Sequence, residues 1–250
     1  MNLRAIVRHS SAARYLYARS FALRYWAASR TGHSFAQAGE DLIVEDLLHR
    51  VSFFIDIGAH DGISGSNTFY FALRGARGIC FEPVHWTFQK LQSLYALNWR
   101  VKCCNVAISD RSGVGEIVGA DFLSYIPDTM DQGHLRAHPP LETKAETIQL
   151  LTFSEALAGL YVPQTIDLLS IDVEGHELNV LRSIPFDQYR FRAIVLETHL
   201  EENGNLKWRH RDLDAIELLL SAAGYHPSSS TWVNSIYLSD RPFPDSRTEP

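Results

Sequence analysis

Residues 1–39 contain no acid at all, and the whole 250-residue chain has only three cysteines and no apolar run of eighteen residues. Each shortage excludes something. Without a long apolar run, no helical membrane span is expected. Cys80, Cys103 and Cys104 fall in strand-like runs where neighbouring side chains point to opposite faces, so they make neither a disulfide framework nor a metal-ligand spacing and read as reduced core residues. No internal repeat is present. The acid-free segment carries six arginines; with a net formal charge of −6 overall, the remainder holds −12. An acidic body is a poor match for nucleic-acid phosphates, so no nucleic-acid partner is expected.

What is present suits one α/β domain, with 46% hydrophobic residues to build its core. Residues 52–59, 77–83, 166–175 and 191–199 are continuously apolar rather than alternating, the pattern of strands covered on both faces; 101–110 fits the same series. Helical segments intervene at 84–97 and 177–184, followed by another at 211–223 and a last strand in "STWVNSIYLSD". The expected fold class is α/β, a doubly wound, mostly parallel sheet with helices on both faces. The expected division is a basic helical extension at 1–33, the domain at 34–240 and a disordered tail at 241–250. The extension reads as a docked or membrane-surface helix or an organelle-targeting segment, and cytoplasmic location is expected otherwise.

Every strand closes on an acid: Asp56, Glu82, Asp110, Asp172 and Glu197, at spacings of 26, 28 and 25 residues within single strand–helix–strand units. In a parallel sheet those ends share one edge, where ligands bind, so the five acids are expected to converge. The alternative for any one of them is an anion placed at the next helix N-terminus. The 62-residue interval from Asp110 to Asp172 includes a polar stretch, 126–149, expected to cross over the ligand site.

After the first strand come Gly58, Gly62 and Gly65, which is not the GxGxxG spacing of a pyrophosphate loop. Glu82, twenty residues after Gly62, stands where an acid accepts hydrogen bonds from ribose hydroxyls. A nucleoside without a pyrophosphate fits these residues. A dehydrogenase would share Glu82 but needs the missing loop.

In "SFAQAGEDL", "IDIGAHDGISGSNT", "GICFEP", "NVAISD", "DLLSIDVEGHE" and "IVLETH" the sequence resembles the FkbM-type family of S-adenosylmethionine-dependent methyltransferases, over roughly residues 34–240. The resemblance implies a Rossmann-like methyltransferase fold, S-adenosyl-L-methionine as cofactor and methylation of a hydroxyl on a sugar, glycan or secondary metabolite. It departs from the general acid-then-GxGxG signature at His60, which replaces the middle glycine. Carried over, it implies that Asp56, Gly58, His60 and Gly62 surround the methionine part, with Asn67 of the same motif also on the cofactor. Glu82 would hold the ribose, and Ala107, Ile108 and Ser109 would lie near adenine. Gln37, Gly39, Glu40 and Asp41 would close the site from the N-terminal side; a helix opening with acids in its first turn is the other reading of those residues.

Removing the acceptor's proton needs a base or a metal. Asp172, Glu174, Glu197 and His199 are the expected catalytic residues, with His199 the favoured base among the histidines. His176 reads as a solvated helix cap. Asp172, Glu197 and His199 are also a possible set for a divalent cation such as magnesium, though no metal site is assigned. A non-catalytic module attached through its arginine-rich segment is the alternative function.

Overall fold

The computed structural model describes residues 30–120, 123–127 and 144–241, with Tyr25, Ala28 and Phe243. Most of the basic extension, part of the polar stretch and most of the tail therefore lie outside the described residues.

Strands β1 (Phe53–Ile57), β2 (Arg77–Phe81) and β3 (Val101–Cys104) begin a seven-stranded sheet. The chain then leaves it through β4 (Ala107–Ile108), β5 (Gly113–Ala120), β6 (Leu123–Tyr125) and β7 (Lys144–Leu151), which form a separate four-stranded sheet. It returns as β8 (Thr165–Ile171) and β9 (Arg190–Glu197), crosses a two-stranded hairpin, β10 (His199–Glu202) and β11 (Asn205–Arg209), and ends in β12 (Tyr225–Ser230) and β13 (Asn234–Ser239). The main sheet runs β12-β13-β9-β8-β1-β2-β3; its five-strand body is parallel, and β13 is antiparallel to β9.

The continuous apolar runs have the expected cause: both faces of the sheet are covered. Phe53, Ile55 and Ile57 of β1 pack on one face with residues of α4 (Phe153–Leu157), α5 (Glu177–Ser183) and α6 (Leu213–Ala222). Phe54 turns to the other, against α1 (Glu40–Leu48), α2 (Phe69–Leu73) and α3 (His85–Tyr95). Among the described residues no helix is long and apolar enough to cross a membrane.

Three expectations change. The run 101–110 is two strands, because Asn105 Nδ2 donates to the carbonyls of Glu82 and Pro83 at 2.8 Å each and turns the chain off the main sheet. Asp110 therefore follows β4 of the second sheet and is exposed, so four acids, not five, end main-sheet strands. The interval before Asp172 holds β5, β6 and β7, whose Ile117, Ile148 and Leu150 build a small core with Ala107 and Val84. The hairpin β10–β11 and strand β12 were not expected.

Candidate functional site

The turn after β1 is shaped by the ends of β2 and β8. The N–H groups of Gly58 and Ala59 both donate to the Phe81 carbonyl at 3.0 Å, and that of Asp172 donates to the Ile57 carbonyl at 3.0 Å. Gly58 has φ 85°, and a Cβ there would lie 1.8 Å from the Asp172 carbonyl oxygen, so only glycine fits. Gly62 has φ 81° and abuts Leu91 and Leu94, which anchors the far side of the turn on α3. Between them, His60 takes φ 48° in the left-handed region, an uncommon conformation outside glycine.

That conformation aims the His60 N–H at Glu82. Glu82 Oε2 accepts it at 3.0 Å and Oε1 accepts the Val84 N–H at 2.8 Å, so the carboxylate is fixed from both sides. Each oxygen keeps lone-pair capacity for a ligand hydroxyl. Burial raises the Glu82 pKa to about 7, opposed by the Val84 hydrogen bond and by His60.

Beside it lies a buried polar chain. Asp56 Oδ2 accepts from Thr68 Oγ1 at 2.6 Å, and Ser170 hydrogen-bonds the same carboxyl group. Asn67 Nδ2 donates to Ser170 Oγ at 3.2 Å, while nothing among the described residues donates to Asn67 Oδ1. Burial raises Asp56 to about 6 against the pull of its two hydroxyl partners.

These residues line one cleft of about 1020 Å³ counted out to solvent. Asp56, Gly58, His60, Asn67 and Glu82 form its floor, and Gln37 closes an end beside Gly65. Phe81, Val106, Ala107 and Ile108 make an apolar wall. Ile117 of β5 and Ile126 just after β6 extend that wall, so the excursion borders this cleft. Ser109 does not line it; its hydroxyl is 3.0 Å from His176 Nε2. His176 itself is buried at 5% exposure and lines the cleft, which corrects its reading as a solvated cap. Burial lowers its pKa.

At the opposite rim, oxygens of Asp172, Glu174 and Glu197 lie within 4.8 Å of one another. Asp172 and Glu174 keep some surface and line the cleft, whereas Glu197 is buried behind them. Burial, reinforced by neighbouring carboxylates, raises Asp172 to about 7 and drives Glu174 and Glu197 well above the usual carboxylate range. Glu174 also has a left-handed backbone, φ 56°. The three carboxylates are a cation-compatible group, and His199 is not part of it.

His199 is half-buried and does not line the cleft. Its Nδ1 is 2.8 Å from Thr198 Oγ1 and its Nε2 is 2.9 Å from the Thr231 carbonyl oxygen, so it ties β10 to the loop before β13. The structure thus gives the favoured base a bracing position. Glu40 and Asp41 are likewise absent from the cleft wall. Glu40 is fully buried and accepts from Thr231 Oγ1, Asn234 Nδ2 and Ala38 N, at 2.6, 2.8 and 2.9 Å. Asp41 accepts from Ser34 Oγ and from the N–H groups of Phe35 and Leu42. With Gly39 as the left-handed N-cap, this is the helix-opening reading realised.

The cleft therefore offers a fixed carboxylate for hydroxyls, an apolar slot, a buried amide oxygen and an acidic rim. An adenosyl amino acid carries a matching group for each, and no cradle for a pyrophosphate is present in this turn.

The sequence model of the methyltransferase FkbM domain matches residues 56–227. No curated protein matches the chain. A methyltransferase FkbM from Methylobacillus flagellatus KT superposes with a TM-score of 0.50 at 16% identity, covering 84% of this chain and 50% of that one. The chain thus spans half the length of that protein, and the likeness is one of fold. A precorrin-6y C5,15-methyltransferase from Geobacter metallireducens GS-15 aligns with a TM-score of 0.45 at 11% identity, covering 80% and 87% of the two chains.

Proposed function

Because the chain belongs to the FkbM methyltransferase family, we propose that it methylates a hydroxyl of a sugar, glycan or secondary metabolite with S-adenosyl-L-methionine as donor. The observation that carries this reading is the facing pair of acidic groups across one cleft: Glu82 held by two backbone N–H groups on one side, Asp172 and Glu174 on the other. When bound, the donor supplies a methyl group on a positively charged sulfur.

The chain's own work is binding, alignment and proton removal. Glu82 accepts hydrogen bonds from the ribose hydroxyls, and Ala107, Ile108 and Ile117 flank the adenine. Asp56 contributes negative charge to the floor, favouring a cationic donor over its neutral product. Holding an acceptor oxygen in line is worth up to about 7–11 kcal/mol of the barrier.

The acceptor hydroxyl must surrender a proton as its oxygen bonds to carbon. Asp172, raised to about 7 by burial and by Glu177 and Asp56, is an effective acceptor near neutral pH. Glu174, whose pKa burial and the neighbouring Asp172 carboxylate raise well above the ordinary carboxylate range, lies beside it and hydrogen-bonds the acceptor's other oxygens. His199 is not given a role in proton transfer.

The test is calorimetric titration of the protein with S-adenosylmethionine and with NAD, then incubation with hydroxylated acceptors followed by mass spectrometry. Binding of the first and not the second, with methyl addition abolished by Asp172→Asn, is expected. Failure of a folded sample to bind S-adenosylmethionine would sink the reading. Tight binding with no turnover on any hydroxylated acceptor would favour the non-catalytic module.

A further inference from the structure

The strands of the parallel body all start along one rim of the sheet, opposite the rim that carries the cleft. Arg77, the first residue of β2, is in register with Phe53, the first of β1, and the Gly78 N–H donates to the Arg100 carbonyl at 3.0 Å just ahead of β3. Tyr161, in the segment before β8, has its ring 6.5 Å from that of Phe53. These residues therefore lie side by side. Each arginine covers an aromatic ring: Arg77 lies over Tyr161 at 4.6 Å from the ring centroid, and Arg100 over Trp99 at 4.9 Å.

Trp99 is 80% exposed, Tyr161 65% and Leu97, in the same turn as Trp99, 51%. Large apolar side chains so exposed are ordinary when scattered, but these share a rim with three exposed cations, Arg77, Arg100 and Lys102. Among the described residues none of those cations has a carboxylate partner, and the nearby acids Glu45 and Asp167 are taken by Arg74 and Arg192 at 3.2 and 3.0 Å. The acids that end main-sheet strands all face the other rim, so a flat anionic surface attracts this rim and repels the cleft. The sequence adds to that attraction. Residues 1–24 contain five arginines and no acid, and they join the described chain at Tyr25. Its ring is 5.7 Å from that of Phe69, which is 6.5 Å from the ring of Tyr95 at the end of α3, so the basic segment meets the domain on the helix layer that leads into the Leu97–Trp99 turn.

We propose that this rim docks the protein on an anionic lipid surface, with Leu97, Trp99 and Tyr161 in the headgroup layer, Arg77, Arg100 and Lys102 on lipid phosphates, and the cleft turned toward water. Trp and Tyr suit a membrane–water boundary because each has an apolar body and a polar tip. A guanidinium lying on such a ring brings a planar donor fork to the phosphate level at the same place. A nucleic acid also offers phosphates, but it leaves Leu97 without a complement and meets an acidic body. The proposal does not depend on the methyltransferase reading.

Co-sedimentation of the full chain with vesicles tests it, comparing phosphatidylcholine alone with phosphatidylcholine containing phosphatidylglycerol. Binding to the anionic vesicles is expected, weakened by added salt, with little on the neutral ones. Arg77→Gln/Arg100→Gln should weaken it by about 25-fold, roughly fivefold for each cation removed. Trp99→Ala should weaken it by about tenfold, the loss of one large apolar side chain from the layer. All three side chains are exposed, so melting should be unchanged in these variants. Brominated lipid should quench the tryptophan fluorescence of the wild type more than that of Trp99→Phe, which reads insertion directly. A folded wild type that stays in solution with anionic vesicles overturns the proposal. Variants that bind as the wild type does, or quenching unchanged in Trp99→Phe, overturn it too, because the contact would then belong to the arginine-rich segment alone. Self-association without lipid that Trp99→Ala abolishes would give the rim to a second copy of the chain and overturn it as well.

Discussion

His210 Nε2 and Glu177 Oε2 are 2.7 Å apart, and neither side chain has any exposed surface. His210 Nδ1 accepts the Asp212 N–H at 3.1 Å, so the ring presents its Nε2 proton to Glu177. Glu177 Oε1 accepts the Val173 N–H at 3.1 Å. One carboxylate thus joins the loop bearing Asp172 and Glu174 to the turn between β11 and α6. Burial alone would raise the Glu177 pKa, yet the hydrogen bond from His210 holds it below the ordinary value.

Removing one partner should leave the other buried and uncompensated. His210→Ala is expected to cost about 3–5 kcal/mol in urea unfolding. The double variant Glu177→Gln/His210→Phe should cost less than the sum of its singles. Additive losses would show that the two residues act independently.

Gly58→Ala tests the closeness of β1 and β8. A methyl group there meets the Asp172 backbone oxygen at a distance no contact tolerates, and the backbone at φ 85° disfavours a side chain as well. The turn and the Asp172 loop must separate to admit it. Loss of S-adenosylhomocysteine binding, with melting lowered by several degrees, is the expected outcome. An unaffected affinity would mean that the turn has room the structure does not show.

The acidic rim makes the ligand-free protein sensitive to pH with a definite sign. Asp172 has a native pKa of about 7 against an ordinary value of 3.8, and Glu174 and Glu197 shift the same way. Between those limits the native state holds protons that the unfolded chain has released, so stability falls as pH rises and the full loss is reached above the native values. For Asp172 alone the loss between pH 5 and 8 is about 2–3 kcal/mol, or several degrees in Tm for a chain of this size. Melting curves at the two pH values check this, and Asp172→Asn should reduce the difference. A Tm that rises from pH 5 to 8 would contradict the arrangement of the rim.

Much of the fold is legible in the sequence. β1, β2, β8 and β9 announce themselves because a strand covered on both faces must be apolar throughout, and Glu82 because the length of one strand–helix–strand unit carries it to the edge. The split after Cys104 was not readable: it hangs on Asn105 reaching back to two carbonyls, which only the neighbouring strand end reveals. The burial of His176 depends on Ser109, 67 residues away, and the Glu177–His210 pair spans 33 residues, so neither leaves a local signal. His199 misled for the same reason, since the Thr231 carbonyl that occupies its Nε2 comes from another loop. The β10–β11 hairpin, by contrast, carries a local signal: Asn203-Gly204, both at positive φ, is a strong two-residue turn sequence.

Glu82 should affect every ligand that carries the ribose. Its oxygens are held by the His60 and Val84 N–H groups, and the ribose they face is common to S-adenosylhomocysteine and 5′-methylthioadenosine. Glu82→Gln keeps the shape but replaces an acceptor oxygen with an N–H donor, which opposes one of the two backbone donors and gives up the charge. It should weaken both probes alike, by about 10- to 100-fold. Glu82→Ala should weaken them at least as much and also lower Tm, because two backbone donors lose their acceptor in a buried setting. Calorimetry on the two variants reads this directly. If Glu82→Gln weakened S-adenosylhomocysteine but spared 5′-methylthioadenosine, Glu82 would be facing the amino-acid end, and the ribose would have to lie elsewhere in the cleft.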